Sequence, residues 1–131
     1  MQTQKTLDEF RNEPFTDFSK PENADAMRAA LDKVRSELGR EYPVVINGEK
    51  ISLGSKFHSI NPAKTSEVVG VFSEGDSDTS LVEKAITAAS EAFKTWKNVP
   101  PATRAEYLFK IADIMRERKH ELSAWMVFEV S

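Results

Sequence analysis

Two long amphipathic runs occupy the last part of this sequence and constrain its fold more than any other feature. In the first, Val82, Ala85, Ile86, Ala89, Phe93 and Trp96 recur at helical spacing and make one apolar stripe. In the second, Leu108, Ile111, Ala112, Met115, Leu122 and Trp125 or Met126 do the same, while Glu83, Lys84, Glu91, Arg116 and Lys119 fill the opposite faces. Asn98-Val99-Pro100-Pro101 separates the runs. Proline lacks the amide hydrogen that a helix's first turn leaves unbonded, so the pair can end one helix and begin the next. Thr103 followed by Glu106 has capping-box spacing just inside that start. Residues 76–131 are therefore predicted to form a helical hairpin, with Asp76 or Ser77 as the cap of its first helix.

Upstream the pattern changes twice. The N-terminal stretch to Phe18 is polar, with isolated Phe10, Phe15 and Phe18. It reads either as a loose arm or as one whose aromatic side chains dock on a larger body. Ser19-Lys20-Pro21-Glu22 also has capping-box spacing, and a helix is predicted after it with Met27, Ala30, Leu31, Val34 and Leu38 on one face. Gly39 supplies a left-handed stop. From Tyr42 the period shortens. Val44-Val45-Ile46, Asn47-Gly48 and Glu49-Lys50-Ile51 predict a β-hairpin, since both turn residues tolerate positive φ. A second antiparallel pair is predicted around Lys56–Ile60 and Val68–Phe72, joined through Asn61-Pro62-Ala63-Lys64-Thr65.

The totals exclude several function classes. A net charge of −3, with Lys and Arg dispersed among acids, gives no surface for nucleic acid. No apolar run approaches the roughly 20 residues that span a bilayer, and the N-terminus lacks a signal-peptide core, so no membrane partner is expected and the cytoplasm is the default compartment. There is no cysteine, which removes disulfides, thiolate metal sites and thiol nucleophiles together.

Individual constellations add no chemistry. Gly39, Gly48, Gly54, Gly70 and Gly75 do not have the spacing of a dinucleotide fingerprint, so no cofactor-binding residue is assigned. His58 and His120 lie far apart and read as structural. Asp76 and Asp78 sit at a helix start, where carboxylates favour the dipole, and neither has the apolar setting of an acid–base pair. Trp96 and Trp125 fall on apolar faces and are predicted to pack in the core. From the residues alone this is a mixed α/β segment without a catalytic residue.

A resemblance extends that reading. Tyr42-Pro43-Val44-Val45-Ile46-Asn47-Gly48-Glu49, then Ile60-Asn61-Pro62-Ala63 and Glu67-Val68-Val69-Gly70, resemble the opening of the aldehyde dehydrogenase superfamily. The later order Ala88-Ala89, Ala92-Phe93, Trp96, Arg104, Leu108, Ala112-Asp113 and Arg118-Lys119-His120-Glu121-Leu122 continues it. Phe10-Arg11-Asn12-Glu13-Pro14-Phe15 and Val34-Arg35-Ser36-Glu37-Leu38-Gly39-Arg40 look like the N-terminal extension of its bacterial branch acting on 1-pyrroline-5-carboxylate, or glutamate γ-semialdehyde.

The resemblance implies the N-terminal part of the aldehyde dehydrogenase fold, helices and small antiparallel strands leading into a Rossmann-like cofactor domain. Residues 1–41 would be an arm and helix, and 42–131 the first, incomplete part of the NAD-binding domain. The implied activity is NAD-dependent oxidation of the aldehyde to L-glutamate in proline and arginine degradation, by a homo-oligomer. In the family a cysteine thiolate attacks the aldehyde, a glutamate activates water, and a backbone amide with an asparagine stabilises the oxyanion. All of these lie further along a longer chain, so the segment alone is expected to be inactive. The sequence also stops at Glu129-Val130-Ser131, inside the family's E-x-(G/S)-K turn, and reads as truncated.

One site carries over. Many family members bind a monovalent cation through the carbonyl before the Asn-Pro and an acid at the end of the last helix, positions that match Ile60 and Glu129. Carboxylate and carbonyl oxygens suit hard cations; Glu129 as a cap or surface acid for the following segment is the open alternative. For the whole sequence, the reading from a different class is a self-sufficient, non-enzymatic module whose helical hairpin binds a partner.

Overall fold

A computed structural model describes residues 9–75 and 79–130. The order is α1 (Pro21–Arg35), β1 (Arg40–Tyr42), β2 (Val44–Ile46), β3 (Glu49–Ile51), β4 (Lys56–Ile60), β5 (Val68–Ser73), α2 (Thr79–Trp96), α3 (Pro101–Glu117) and α4 (Lys119–Val130). The capping positions expected at Asp76 and Ser77, and the pair Asp76 and Asp78, lie outside the described residues, as do the first eight residues and Ser131.

Both predicted strand pairs form. Asn47 and Gly48 adopt φ of 51° and 79°, the left-handed pair that a two-residue hairpin turn requires, and set Val44 opposite Ile51. β4 runs antiparallel to β5, with an irregularity in register between Ser59 and Ile60. The pairing not foreseen is parallel: β1 lies along the other side of β5, giving the strand order β1-β5-β4. Gly39, at φ 74°, makes the junction, and its N–H donates to the Val69 carbonyl at 3.1 Å. The turn that stops α1 thus also delivers β1 to the sheet.

Helix ends depart from the capping-box expectation at two places. Proline occupies the first helical position of both α1 and α3, which places the caps at Lys20 and Pro100, and neither makes a side-chain cap hydrogen bond. Ser19 instead bonds Asp17 Oδ1 through its N–H at 3.0 Å and its hydroxyl at 2.7 Å. The bond to Ser19 is the main cause of an Asp17 pKa below the usual carboxylate value. α1 ends at Arg35, one turn sooner than its apolar pattern, although Leu38 still packs inward.

The core lies where α1 and α4 cross the sheet. Val34, Val69, Ala124 and Phe128 are buried together, with Met27, Ala30, Leu31, Leu38 and Trp125 packed around them. Burying such side chains contributes about 1.5–3 kcal/mol each. Lys33 on α1 reaches Glu121 on α4 at 3.1 Å, and Arg118 grips the same carboxylate at 2.7 Å. On the sheet, the rings of Tyr42, Phe72 and Phe57 stack across the three strands with centroids 5.1 and 5.2 Å apart. Gly70 makes room for that stack: a Cβ there would come within 2.9 Å of the Phe72 ring and 3.2 Å of Tyr42.

The predicted helical hairpin is only partly realised. Its second run breaks at Arg118, whose φ of −98° and ψ of 16° bend the chain while its N–H and carbonyl keep helical bonds to Ile114 and Leu122. The helix that packs on α1 is α4, and contact between α2 and α3 is sparse. Neither α2 nor α3 has a buried residue. Trp96 corrects its core assignment: it meets Tyr107 with ring centroids 5.6 Å apart but remains 43% exposed. Trp125 does pack against the core.

Candidate cation site

The irregular end of β4 and the last turn of α4 converge. Ser59 and Glu129 are 70 residues apart in sequence, yet the Ser59 hydroxyl lies 3.4 Å from Glu129 Oε1, a long hydrogen bond. Glu129 therefore stands beside the residue that precedes Ile60. α4 is brought there by Ala124 and Phe128, which anchor its inner face in the core.

After Ile60 the chain makes a tightly bonded loop. Asn61 is buried, and its amide Nδ2 donates to Glu67 Oε2 at 2.9 Å while its Oδ1 accepts the Ala63 N–H at 2.9 Å. Its own N–H donates to the Glu67 carbonyl at 3.0 Å. Lys64 adds an ion pair to Glu67 Oε1 at 3.1 Å. The Asn61 bond, followed by that of Lys64, holds the Glu67 carboxyl below its ordinary pKa. No buried side-chain polar atom lacks a partner among the described residues.

The other residues considered in the sequence do not assemble. His58 is on β4 and His120 at the start of α4, and no group of three or more His, Cys, Asp or Glu able to hold a metal occurs among the described residues. The glycines form no phosphate cradle; Gly48 and Gly39 serve turns and Gly70 serves the ring stack. No described helix is long and apolar enough to cross a membrane.

A groove of about 880 Å³ lies between arm residues 9–13 and α3 and α4, with Phe109, Met115, Leu122 and Met126 among its lining residues. Glu13 bonds Arg116 Nε at 2.6 Å and fastens the arm across it. Phe10, although it lines the groove, and Phe15 nonetheless remain largely exposed. Sequence reasoning did not place the groove; its signals were the aromatic residues of the arm and the apolar character of the second amphipathic run.

Comparison with known proteins accounts for this arrangement. The sequence model of the aldehyde dehydrogenase family matches residues 50–131. 1-Pyrroline-5-carboxylate dehydrogenase 1 of Halalkalibacterium halodurans is 50% identical over 123 residues, which are 94% of this chain and 24% of that protein. The corresponding dehydrogenase of Geobacillus kaustophilus is 50% identical over 120 residues, 92% of this chain and 23% of its own length. In structure, the chain is similar to the 1-pyrroline-5-carboxylate dehydrogenase from Thermus with bound NAD, at a TM-score of 0.86 and 44% identity, covering 94% of this chain and 23% of that one. The chain spans about a quarter of the length of the relatives it matches. Its helices and small strands are the N-terminal part of the fold those structures share, and this chain belongs to the aldehyde dehydrogenase family.

Proposed function

We propose that this chain is the N-terminal part of an NAD-dependent oxidoreductase that converts L-glutamate γ-semialdehyde (1-pyrroline-5-carboxylate) to L-glutamate in proline and arginine degradation. The observation that carries the reading is the reach of the similarity. Half-identity to a 1-pyrroline-5-carboxylate dehydrogenase extends over 94% of the chain, well beyond the residues 50–131 that the family as a whole matches. Within that protein, residues 1–41 are its arm and first helix and residues 42–131 open its cofactor-binding domain. The enzyme works in the cytoplasm as a homo-oligomer on a small aldehyde.

The open apolar faces of α2 and α3 support this assignment over a self-sufficient binding module. A module built on a helical hairpin needs α2 packed against α3. Here Ile86, Phe93, Leu108 and Ile111 are all more than half exposed, as expected of a domain whose covering elements lie elsewhere. The chain holds neither the thiol nor the cofactor cradle, so its part is scaffolding: it sets the first sheet, the core and the helices on which the remainder packs.

The chain also contributes two oxygens to a monovalent-cation site, the Ile60 carbonyl and the Glu129 carboxylate. Their chemistry fits a hard cation, with water or other segments completing the shell. The bound ion would tie the end of β4 to the end of α4. Intact mass is the first measurement. A mass several times 14.7 kDa, together with NAD reduction dependent on glutamate semialdehyde, is expected of the whole protein. Turnover of that aldehyde by the cysteine-free 131 residues alone would overturn the assignment.

A further inference from the structure

The loop that follows Ile60 fixes the direction of its carbonyl. A peptide group is planar and trans, so the C=O of one residue points opposite to the N–H of the next. The Asn61 N–H donates to the Glu67 carbonyl, at the entrance to β5. The Ile60 carbonyl is therefore turned away from β5. β4 is an edge strand in the order β1-β5-β4, so that carbonyl faces the side of β4 where no strand lies. Glu129 approaches the same end of β4 through Ser59.

Four further bonds keep this peptide from rotating. The Asn61 side chain spans its own loop, from Glu67 Oε2 to the Ala63 N–H. The Lys64 N–H closes a turn on the Asn61 carbonyl at 3.1 Å, and the Glu67 N–H closes the next on Lys64 at 2.8 Å. Burial of Asn61 makes the arrangement stringent, because an amide removed from water is costly to leave without partners. Lys64 holds the second oxygen of Glu67, which leaves Oε2 to Asn61.

We propose that Asn61 and Glu67 are positioning residues for the cation site, locking the loop so that the Ile60 carbonyl is presented at the open edge of β4 beside Glu129. This rests on the cation reading given above and adds what holds its neutral ligand in place. Neither residue is one of the proposed ligands. Glu67 acts through Asn61, and Asn61 acts through the peptide that it shares with Ile60.

The test measures thermal midpoints of the full chain in sodium, potassium and choline chloride at equal ionic strength, so that only ion-specific stabilisation is counted. The unsubstituted protein is expected to be more stable in sodium or potassium than in choline, and Glu129→Ala to lose that increment. Glu67→Ala is expected to raise the half-saturating cation concentration about tenfold, the lower end of what loss of an outer-shell partner typically costs. Glu67→Gln, which can still accept the Asn61 amide, should restore most of the affinity. If Glu67→Ala lowers the midpoint equally in all three salts and leaves the cation titration unchanged, the lock is overturned while the cation site stands. If the unsubstituted protein shows no preference over choline, the site and the lock fall together.

Discussion

α1 and α4 differ from α2 and α3 in what their apolar faces have found. The first pair closes on β5 and buries Val34, Val69, Ala124 and Phe128. In the second pair α2 carries a stripe as regular in sequence as that of α1, yet neither it nor α3 buries a residue. An amphipathic pattern therefore states that a face requires cover and leaves open what provides it. α4 makes the point differently: its pattern is the least regular of the four helices, because apolar residues lie all round it, and Met126, Val127 and Val130 stay exposed while Ala124 and Phe128 are buried.

Substitutions sharpen the contrast, beginning where the loss should be greatest. Phe128→Ala empties the centre of the core, below the Arg35 guanidinium that sits 5.5 Å from its ring, and should destabilise the chain by about 3–5 kcal/mol. Ile86→Ala on the uncovered face of α2 should stay within about 0.5 kcal/mol in the same 131 residues. Urea unfolding reads both values. Comparable losses from the two would break the distinction between covered and uncovered faces.

Gly70→Ala should come next, at about 1–3 kcal/mol, because the added methyl meets a Phe72 ring already flanked by Tyr42 and Phe57. Pairing it with Phe72→Leu in a double-mutant cycle isolates the clash: removing the ring should recover part of the loss. Additive losses would show that the glycine serves something other than the ring stack.

The smallest effect concerns the clasp between α1 and α4. Arg118, and then Lys33, hold the Glu121 carboxyl down to about 2 from an ordinary 4.5. A depressed carboxylate contributes stability that is present above the unfolded value and is lost as pH falls through the folded one. The thermal midpoint should therefore decline as pH drops from near 4.5 toward 2, and Glu121→Gln should flatten that part of the profile. An unchanged slope in the variant would assign the acid sensitivity to Asp17 and Glu67, which are shifted in the same direction.

Local chemistry was the most legible part of the sequence. Asn47-Gly48 announced its hairpin and Met27, Leu31 and Val34 their buried face, because turn geometry and helical period are properties of neighbours. Ser19 and Thr103 misled because Pro21 and Pro101 already fix where their helices begin. The break at Arg118 has no Gly or Pro to mark it. The parallel pairing of Arg40–Tyr42 joins strands about 30 residues apart, beyond the reach of any periodicity. Ile60 and Glu129 entered through family resemblance alone; no spacing rule links residues so far apart, and only the packing of α4 brings Ser59 and Glu129 within reach.

The position of β5 between β1 and β4 has a consequence for the order of events on the ribosome. β1 and β4 share no ladder, so a nascent chain can assemble none of the three-stranded sheet until Val68–Ser73 has emerged. α1 waits longer still, since the helix that covers it begins at Lys119. The apolar face of α1 and the two unmatched strands β1 and β4 are thus in the open early in synthesis, and the demand for chaperone protection falls on this stretch of the chain.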